Sequence, residues 1–399
     1  MPCIVGWGHT RFGRLDKETL ESLIVRASCD AMADAGVDGR DIDAIFVGNL
    51  GGFEPQSFPA SLPLQADAGL RFKPATRCEN ACASGSAAIH AALDRIAARR
   101  ARIVLVVGAE KMTGLPASEV AKVLASASYM REEGGQGLTF PGIFARMAQD
   151  YSARYGDEVD LGDALAMVAA KNHFNGSLNP LAHIQKDLGY DFCRQESEKN
   201  RMVAAPLKVS DCSTVADGAA ALVIAAADTA AAFAKAVRFR AARQVNDFLP
   251  MSRRDVIDFA GPKEAFARAY ADAGITVDDL SFAEVHDCFT VAELLAYEAM
   301  GLAASGHGWE RALDGSTGRD GRLPVNLSGG LKAKGHPVGA TGVSMHVMAA
   351  MQLTGSAGAM QVGQPQLGAV FNMGGSAVAN YVSILEPVRT GTDGGVTAQ

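Results

Sequence analysis

The chain has 399 residues, of which 48% are hydrophobic and 20% are charged, and its formal net charge is −7. This length is enough to bury a large core and predicts two domains or pseudo-domains. The acidic balance argues against a nucleic-acid-binding surface. The sequence has no basic amphipathic run and no apolar stretch of the roughly 18 residues that a membrane-spanning helix requires.

The termini and the cysteines point to the cytoplasm. The N-terminus, M-P-C-I-V-G-W-G-H, lacks the basic start of a secretory signal, and the C-terminus, V-T-A-Q, matches no retention or peroxisomal address. The seven cysteines form no regular framework, which is typical of free thiols in a reducing compartment. We therefore expect a cytoplasmic protein that binds neither membrane nor nucleic acid.

The first quarter of the chain alternates between strand and helix patterns. Its predicted elements are strands at 2–9, 43–49 and 103–107, an amphipathic helix at 18–35, and a helix that begins near Cys82. Gly36 follows the first helix at the position that favours a left-handed cap. The second helix is apolar over most of its circumference, so we expect it to be buried.

Cys82 stands at the N-terminus of this buried helix, in the run N-A-C-A-S-G. Backbone N–H groups at a helix N-terminus are unpaired and favour a nearby negative charge. We therefore expect a lowered pKa for Cys82, which would make the thiol nucleophilic. Ser84 and Gly85 allow the backbone to pass close to a neighbour. The sequence thus predicts a reactive cysteine rather than a core cysteine.

The middle of the chain changes character between about 114 and 210. Glycine and polar residues increase there, and we expect shorter helices that form a loop domain folded over a sheet. A strand pattern returns at 217–226.

The second half of the chain repeats the first. Residues 271–287 align without gaps on 33–49, with the same helix end, glycine, acidic turn and buried strand. A second buried helix is predicted at 341–353, and the last strands at 368–372 and 378–385. Two such repeats predict an α/β fold, a five-layer αβαβα sandwich made from two duplicated halves with an inserted loop domain. The predicted boundaries are 1–113 with 211–230 for the N-terminal half, 114–210 for the loop domain, 231–389 for the C-terminal half and 390–399 for a disordered tail.

Three segments of the second half contain candidate catalytic or binding residues. V-H-D-C-F ends a buried strand, the place where layered α/β folds present reactive side chains, although a satisfied core histidine beside a small buried cysteine is an equal alternative. In N-L-S-G-G-L-K-A-K-G-H-P-V-G-A-T-G, glycines and Pro337 hold His336 rigidly, and the phosphate-loop spacing is absent. Lys332 and Lys334 are predicted to form a solvated rim or to contact an anionic ligand at a distance. N-M-G-G-S is a turn whose amides can point into a site, or a plain tight turn.

Taken together, the motifs resemble the thiolase family over the whole chain. N-A-C-A-S-G is similar to the nucleophile motif, G-A-E-K-M-T to the following strand, the segment around His336 to the histidine loop, and F-N-M-G-G-S to the final glycine turn. H-D-C-F stands where most thiolases have N-E-A-F, and Asn372-Met373-Gly374 stands where they have C-x-G. Cys288 thus replaces the second cysteine, which resembles the sterol-carrier-protein type of thiolase.

The resemblance implies an acyltransferase that makes or cleaves a 3-oxoacyl-CoA. Cys82 would form an acyl-enzyme after losing its proton to His336, and Cys288 would act as acid and base on the α-carbon. The amide groups of Cys82 and Gly374 would hold the oxyanion, and His286 with His336 would stabilise the enolate. Coenzyme A enters as a substrate, and no metal or prosthetic group is expected.

The resemblance also implies partners. Thiolase folds pair as homodimers through an edge strand, and some relatives work with a small OB-fold companion. The alternatives are a Claisen acyltransferase or a retro-aldolase that acts with such a companion, and a non-catalytic acyl-CoA-binding subunit. The presence of Cys82 argues against the retro-aldolase, which needs no acyl-enzyme.

The sequence assigns no role to Cys212.

Overall fold

The computed structural model describes residues 1–156 and 160–388. The predicted disordered tail, 390–399, lies outside the described residues. Within them, no helix has the length and apolar character needed to cross a membrane. The strands are β1 Cys3–His9, β2 Ala44–Gly48, β3 Ala75–Cys78, β4 Ile103–Glu110, β5 Met202–Ala204, β6 Leu207–Lys208, β7 Gly218–Ala225, β8 Val237–Asn246, β9 Phe282–Val285, β10 Gly368–Gly374 and β11 Ala379–Pro387. The α-helices are α1 Leu20–Ala35, α2 Ser84–Ala97, α3 Ala117–Ala125, α4 Phe140–Tyr155, α5 Leu161–Ser177, α6 Gly189–Arg194, α7 Ala227–Ala230, α8 Ala260–Ala273, α9 Thr290–Ala299, α10 Gly308–Leu313, α11 Gly330–Lys334 and α12 Thr341–Leu353.

Nine strands form one mixed sheet in the order β3-β2-β4-β7-β1-β8-β11-β10-β9. The first five belong to the N-terminal half and the last four to the C-terminal half. The two half-sheets meet at β1 and β8 through two residue pairs, Cys3 with Arg238 and Ile4 with Val237. Because this junction is short, each half-sheet can turn one face toward the other.

The alternation of side chains on the strands explains the layers. Along β4, Val104 and Val106 pack in the core cluster that contains α2, whereas Leu105 and Val107 pack in the cluster that contains α1. Helix α12 contacts α2 and strands of both half-sheets, and α8 covers β8 and β11 from the outside. The layers are therefore α1, the first half-sheet, α2 with α12, the second half-sheet and α8, which confirms the predicted fold.

The two halves share the predicted order of helix, glycine and strand. Helix α1 ends at Gly36 with a φ of 72°, and α8 ends at Gly274 with a φ of 63°. Both angles lie in the left-handed region that glycine adopts without strain. Strands β2 and β9 follow these glycines and reach the same end of the layers.

The expectation of short helices between 114 and 210 is wrong. Helices α4 and α5 have 16 and 17 residues. The apolar pattern of α5 is obscured because this helix carries buried asparagines, and Nδ2 of Asn175 donates to the carbonyl of Asn326 at 3.0 Å. The division into two halves and a loop domain stays a prediction.

Candidate active site

A tight turn between β3 and α2 presents Cys82. Ala81 has a φ of 51°, and the hydroxyl of Ser84 donates to its carbonyl at 2.6 Å, which fixes the turn. A Cβ atom on Gly85 would lie 2.8 Å from the amide nitrogen of Val343 and 2.9 Å from the carbonyl oxygen of Gly339. Only glycine therefore lets the start of α2 approach the loop that carries His336 this closely.

The loop before α12 orients His336 through Thr341. Nδ1 of His336 lies 2.7 Å from Oγ1 of Thr341, and that hydroxyl donates to the carbonyl of Pro337 at 3.1 Å. The hydroxyl therefore accepts from Nδ1–H, and Nε2 carries the lone pair. Nε2 is buried and has no hydrogen-bond partner among the described residues. His336 is thus arranged as a base.

The end of β9 supplies His286 and Cys288, both buried. Nδ1 of His286 lies 2.9 Å from Nδ2 of Asn372, which is on β10. The same Nδ2 donates to the carbonyl of Cys82 at 3.3 Å, and Oδ1 of Asn372 accepts from the hydroxyl of Ser86 at 2.8 Å. Asn372 therefore joins the nucleophile turn to the end of β9.

The structure brings together four of the predicted site residues, Cys82, His286, Cys288 and His336. The sulfur of Cys82 and one nitrogen each of His286 and His336 all lie within 4.8 Å of one another. Cys82, Cys288 and His336 line a single, mostly apolar cavity of about 120 Å³. Its other lining residues are Met112, Leu124, Phe140, Pro141, Cys212, Ser213, Thr214, Val215, Phe289, Val338 and Gly375. Both thiols thus face one small space, while the roles assigned to them stay predictions.

The glycine turn contributes through Gly375. Gly375 lines the cavity, and its backbone N–H favours the thiolate of Cys82, an effect that by itself lowers the thiol pKa. Gly374 is not among the described residues that line the cavity. It ends β10, where a Cβ atom would lie 2.2 Å from the carbonyl oxygen of Asn80. Gly374 allows this close approach, and the oxyanion role assigned to it stays a prediction.

The expected lowering of the Cys82 pKa is wrong. Burial, followed by the nearby charge of Glu110, raises the pKa of Cys82 to about 12, and this outweighs the hydrogen bonds from backbone N–H groups. Burial and then the charge of Lys334 lower the pKa of His336 to about 3. Burial and then Cys82 raise the pKa of Cys288 well above its usual value. The resting site therefore holds neutral thiols and a neutral imidazole.

The prediction that Lys332 and Lys334 form a solvated rim is also wrong. Both are buried, and Nζ of Lys332 donates to the carbonyl of Cys212 at 2.8 Å. Nζ of Lys334 has no hydrogen-bond partner in the part of the chain that the structure describes. Burial lowers the pKa of both lysines. The Cys212 thiol, Asp211 and Asp287 oppose this for Lys332, and Glu284 and Asp287 oppose it for Lys334. Both lysines therefore lie inside the fold and not on a solvated rim.

Glu110, the last residue of β4, connects two loops of the site. The carboxyl group of Glu110 accepts from Nδ2 of Asn49 at 2.7 Å and from the amides of Leu50, Gly51 and Gly339 at 2.9, 3.1 and 3.1 Å. Gly339 belongs to the loop of His336. Glu110 thus fixes that loop against the end of β2.

Three residues of the site were missed by the sequence interpretation. Asn372 departs from C-x-G, and its signal is a polar residue in the apolar strand A-V-F-N-M. Thr341 follows His336 by five residues, in a motif whose main features are its glycines. Cys212 lines the cavity, and its neighbours in the sequence carry no signal for this.

Two family models and several known proteins are similar to this chain. Residues 3–228 match the family model "Thiolase, N-terminal domain", and residues 243–387 match "Thiolase C-terminal domain-like". The chain is 37% identical to an acetyl-CoA acetyltransferase of Methanothermobacter thermautotrophicus, over 96% of this chain and 98% of that protein. It is 30% identical to sterol carrier protein 2 of Oryctolagus cuniculus, over 94% of this chain and 70% of that protein. The solved Ltp2-ChsH2(DUF35) aldolase superposes with a TM-score of 0.82 at 21% identity, over 96% of this chain and 97% of the other.

Proposed function

The chain belongs to the thiolase family, and we propose that it is an acyltransferase that makes or cleaves a 3-oxoacyl-CoA through an acyl-enzyme on Cys82. The observation that carries this proposal is the convergence of Cys82, His286 and His336 within 4.8 Å, beside a cavity that Cys82, His336 and Cys288 line. The family membership and the similarity to acetyl-CoA acetyltransferases support the same activity.

Acylation begins with proton transfer from the thiol of Cys82 to Nε2 of His336. In the degradative direction the resulting thiolate attacks the 3-oxo carbonyl carbon of a 3-oxoacyl-CoA. In the synthetic direction it attacks the thioester carbonyl of an acyl-CoA, and coenzyme A leaves with the proton from His336. In both directions the electron pair of the carbonyl first moves to oxygen. The amide groups of Cys82 and of the glycine turn, with Gly374 as the predicted donor and Gly375 beside it, hold this oxyanion. Because burial raises the pKa of Cys82 to about 12, substrate and base must act together to ionise the thiol.

The carbon–carbon step uses Cys288. In the degradative direction the tetrahedral intermediate expels the enolate of acetyl-CoA, and the thiol of Cys288 protonates its α-carbon. Coenzyme A then takes the acyl group from Cys82. In the synthetic direction Cys288 removes an α-proton from acetyl-CoA, and the enolate attacks the acyl-enzyme. His336 and His286, directly or through a water, stabilise the enolate oxygen.

Two cysteine variants test this division of labour. Cys82→Ala should abolish acyl-enzyme formation from acetoacetyl-CoA, measured by mass spectrometry of the intact protein. Cys288→Ala should still be acylated by acetyl-CoA but lose thiolysis and condensation. Cys29→Ala removes an exposed thiol and serves as the control, with activity unchanged. Equal loss of acylation in the Cys82 and Cys288 variants would contradict the proposal.

The proposed reaction needs no metal. The sulfur and nitrogen atoms of Cys82, His286 and His336 nevertheless lie close enough to act as metal ligands. Thiolysis measured before and after dialysis against EDTA decides between the two cases. We expect equal rates, whereas a loss that Zn²⁺ restores would assign these residues to a metal site.

We also propose a homodimer that forms through β3. This strand is one edge of the sheet, and Thr76 and Arg77 on it are exposed, whereas the other edge, β9, is buried. Phe58, with 81% of its surface exposed, shares a surface depression with these residues. An open edge strand beside an exposed aromatic side chain suits pairing with a second copy. Thr76→Pro and Phe58→Lys should convert the dimer to a monomer in analytical ultracentrifugation, and a wild-type monomer would overturn the proposal.

A small OB-fold companion remains part of the proposal. The similarity to the Ltp2-ChsH2(DUF35) aldolase shows the fold, and the name of that assembly includes a second protein. Thiolysis of acetoacetyl-CoA with and without candidate companions tests whether one is required. Cleavage of an aldol substrate that survives in Cys82→Ala would instead favour the retro-aldolase.

A further inference from the structure

We propose that Asn372 is a positioning residue that holds His286 in the tautomer with its proton on Nε2. In this tautomer His286 acts as a hydrogen-bond donor to the reacting oxygen and not as a base. The use of that N–H in catalysis rests on the proposed function, whereas the tautomer itself does not.

The orientation of the Asn372 amide follows from its partners. The carbonyl oxygen of Cys82 can only accept a hydrogen bond, so the atom that faces it at 3.3 Å must be the amide nitrogen. The hydroxyl of Ser86 can donate to the amide oxygen at 2.8 Å. A flipped amide would place two acceptors, the amide oxygen and the Cys82 carbonyl, against each other.

This orientation determines where the proton of His286 lies. The second hydrogen of the amide nitrogen points to Nδ1 of His286 at 2.9 Å, so Nδ1 must accept. An imidazolium would set an N–H group against this donor. Burial, and then the neighbouring His336, also lower the pKa of His286 well below its usual value. A neutral ring whose Nδ1 accepts carries its proton on Nε2.

The same amide couples the nucleophile to the donor. Asn372 bonds the backbone of Cys82 through one hydrogen and the ring of His286 through the other. The position of the nucleophile turn and the orientation of the ring therefore depend on the same amide group. Since the ring centroids of His286 and His336 are 5.2 Å apart and the rings meet edge to face, a small rotation of His286 changes what the pair presents to a substrate.

Nitrogen-15 NMR of the full chain labelled with ¹⁵N-histidine tests the tautomer directly, and a His286→Gln variant assigns the signal. At neutral pH we expect a protonated Nε2 and an unprotonated Nδ1 for His286. In Asn372→Asp the carboxylate can only accept, so the proton should move to Nδ1. In Asn372→Ala, which introduces no charge, the signal should report a mixture of tautomers. A protonated Nδ1 in the wild type, or an unchanged pure tautomer in Asn372→Ala, would overturn the proposal.

Asn380→Asp is the matched control. Asn380 is a buried asparagine on the neighbouring strand β11, and its amide donates to the carbonyl of Ala377 at 2.9 Å. This variant should leave the tautomer of His286 unchanged, and a change there would show that any buried charge moves the proton. Thiolysis should fall about 10²–10³-fold in Asn372→Asp, the loss typical of a missing oxyanion donor. If the NMR result holds but the wild type has no thiolysis, the proposed function fails and the tautomer assignment stands.

Discussion

The two histidines of the site have the same side chain but opposite arrangements. His336 donates from Nδ1 to the Thr341 hydroxyl at 2.7 Å, which leaves a lone pair on Nε2. His286 accepts at Nδ1 from Asn372 at 2.9 Å, which places its proton on Nε2. The partner of each Nδ1 thus decides whether the other nitrogen is a base or a donor.

The two rings also differ in where their partners come from. Thr341 follows His336 by five residues, at the start of α12, so the orientation of the base is local. Asn372 lies 86 residues from His286 and belongs to another strand. The base can therefore be anticipated from a short motif, whereas the donor depends on the packing of β9 beside β10. Substitution of both histidines by the same residue separates the two roles.

His336→Asn should cause the largest loss. Asparagine can donate a hydrogen bond but cannot take the proton of Cys82, so acylation should slow by about 10²–10⁴-fold, the range of a general base. The measurement is the rate of acyl-enzyme formation in rapid-quench mass spectrometry. Acylation at the wild-type rate would mean that another group ionises Cys82.

His286→Ala should cost about 10²–10³-fold in thiolysis, because one oxyanion donor is lost. His286→Asn should recover most of this loss, since the amide can donate and the role needs no base. Steady-state thiolysis of acetoacetyl-CoA compares the two variants. Equal rates in His286→Ala and His286→Asn would contradict a donor role.

Thr341→Val should have a moderate effect. Valine has nearly the shape of threonine but cannot accept from Nδ1–H of His336, and the loss of one hydrogen bond costs about 1 kcal/mol, or about fivefold in rate. The loss should appear in acylation, while the His286 tautomer seen by NMR stays unchanged. A Thr341→Ser variant keeps the hydroxyl and should restore the rate.

Lys334→Met should have the smallest effect at neutral pH. The charge of Lys334 opposes protonation of His336 and, after burial, is the second cause of its lowered pKa. Its removal raises the pKa of His336, so the acid limb of the acylation rate should move to higher pH. Lys332→Met is the matched control, because that buried lysine bonds the carbonyl of Cys212, and its profile should not move. A shift to lower pH in Lys334→Met would contradict this coupling.

Local features of the sequence predicted most of the fold. Gly36 and Gly274 end equivalent helices, and Cys82 stands where a strand turns into a buried helix. Helix caps, apolar periodicity and left-handed glycines depend on residues that are close in the sequence. These features can therefore be predicted from the sequence. The length of α5 is not evident from the sequence because its buried asparagines look like loop residues until the C-terminal half is packed against them.

The sequence by itself determined the layered architecture and identified Cys82, His286, Cys288 and His336 as candidate site residues. Only the tertiary structure decided that Cys82 is a neutral thiol, that Lys334 is buried, and that Asn372 bonds Cys82 from 290 positions away. The reason is physical. Charge and tautomer depend on dehydration and on partners across the core, and those exist only once distant segments have packed together.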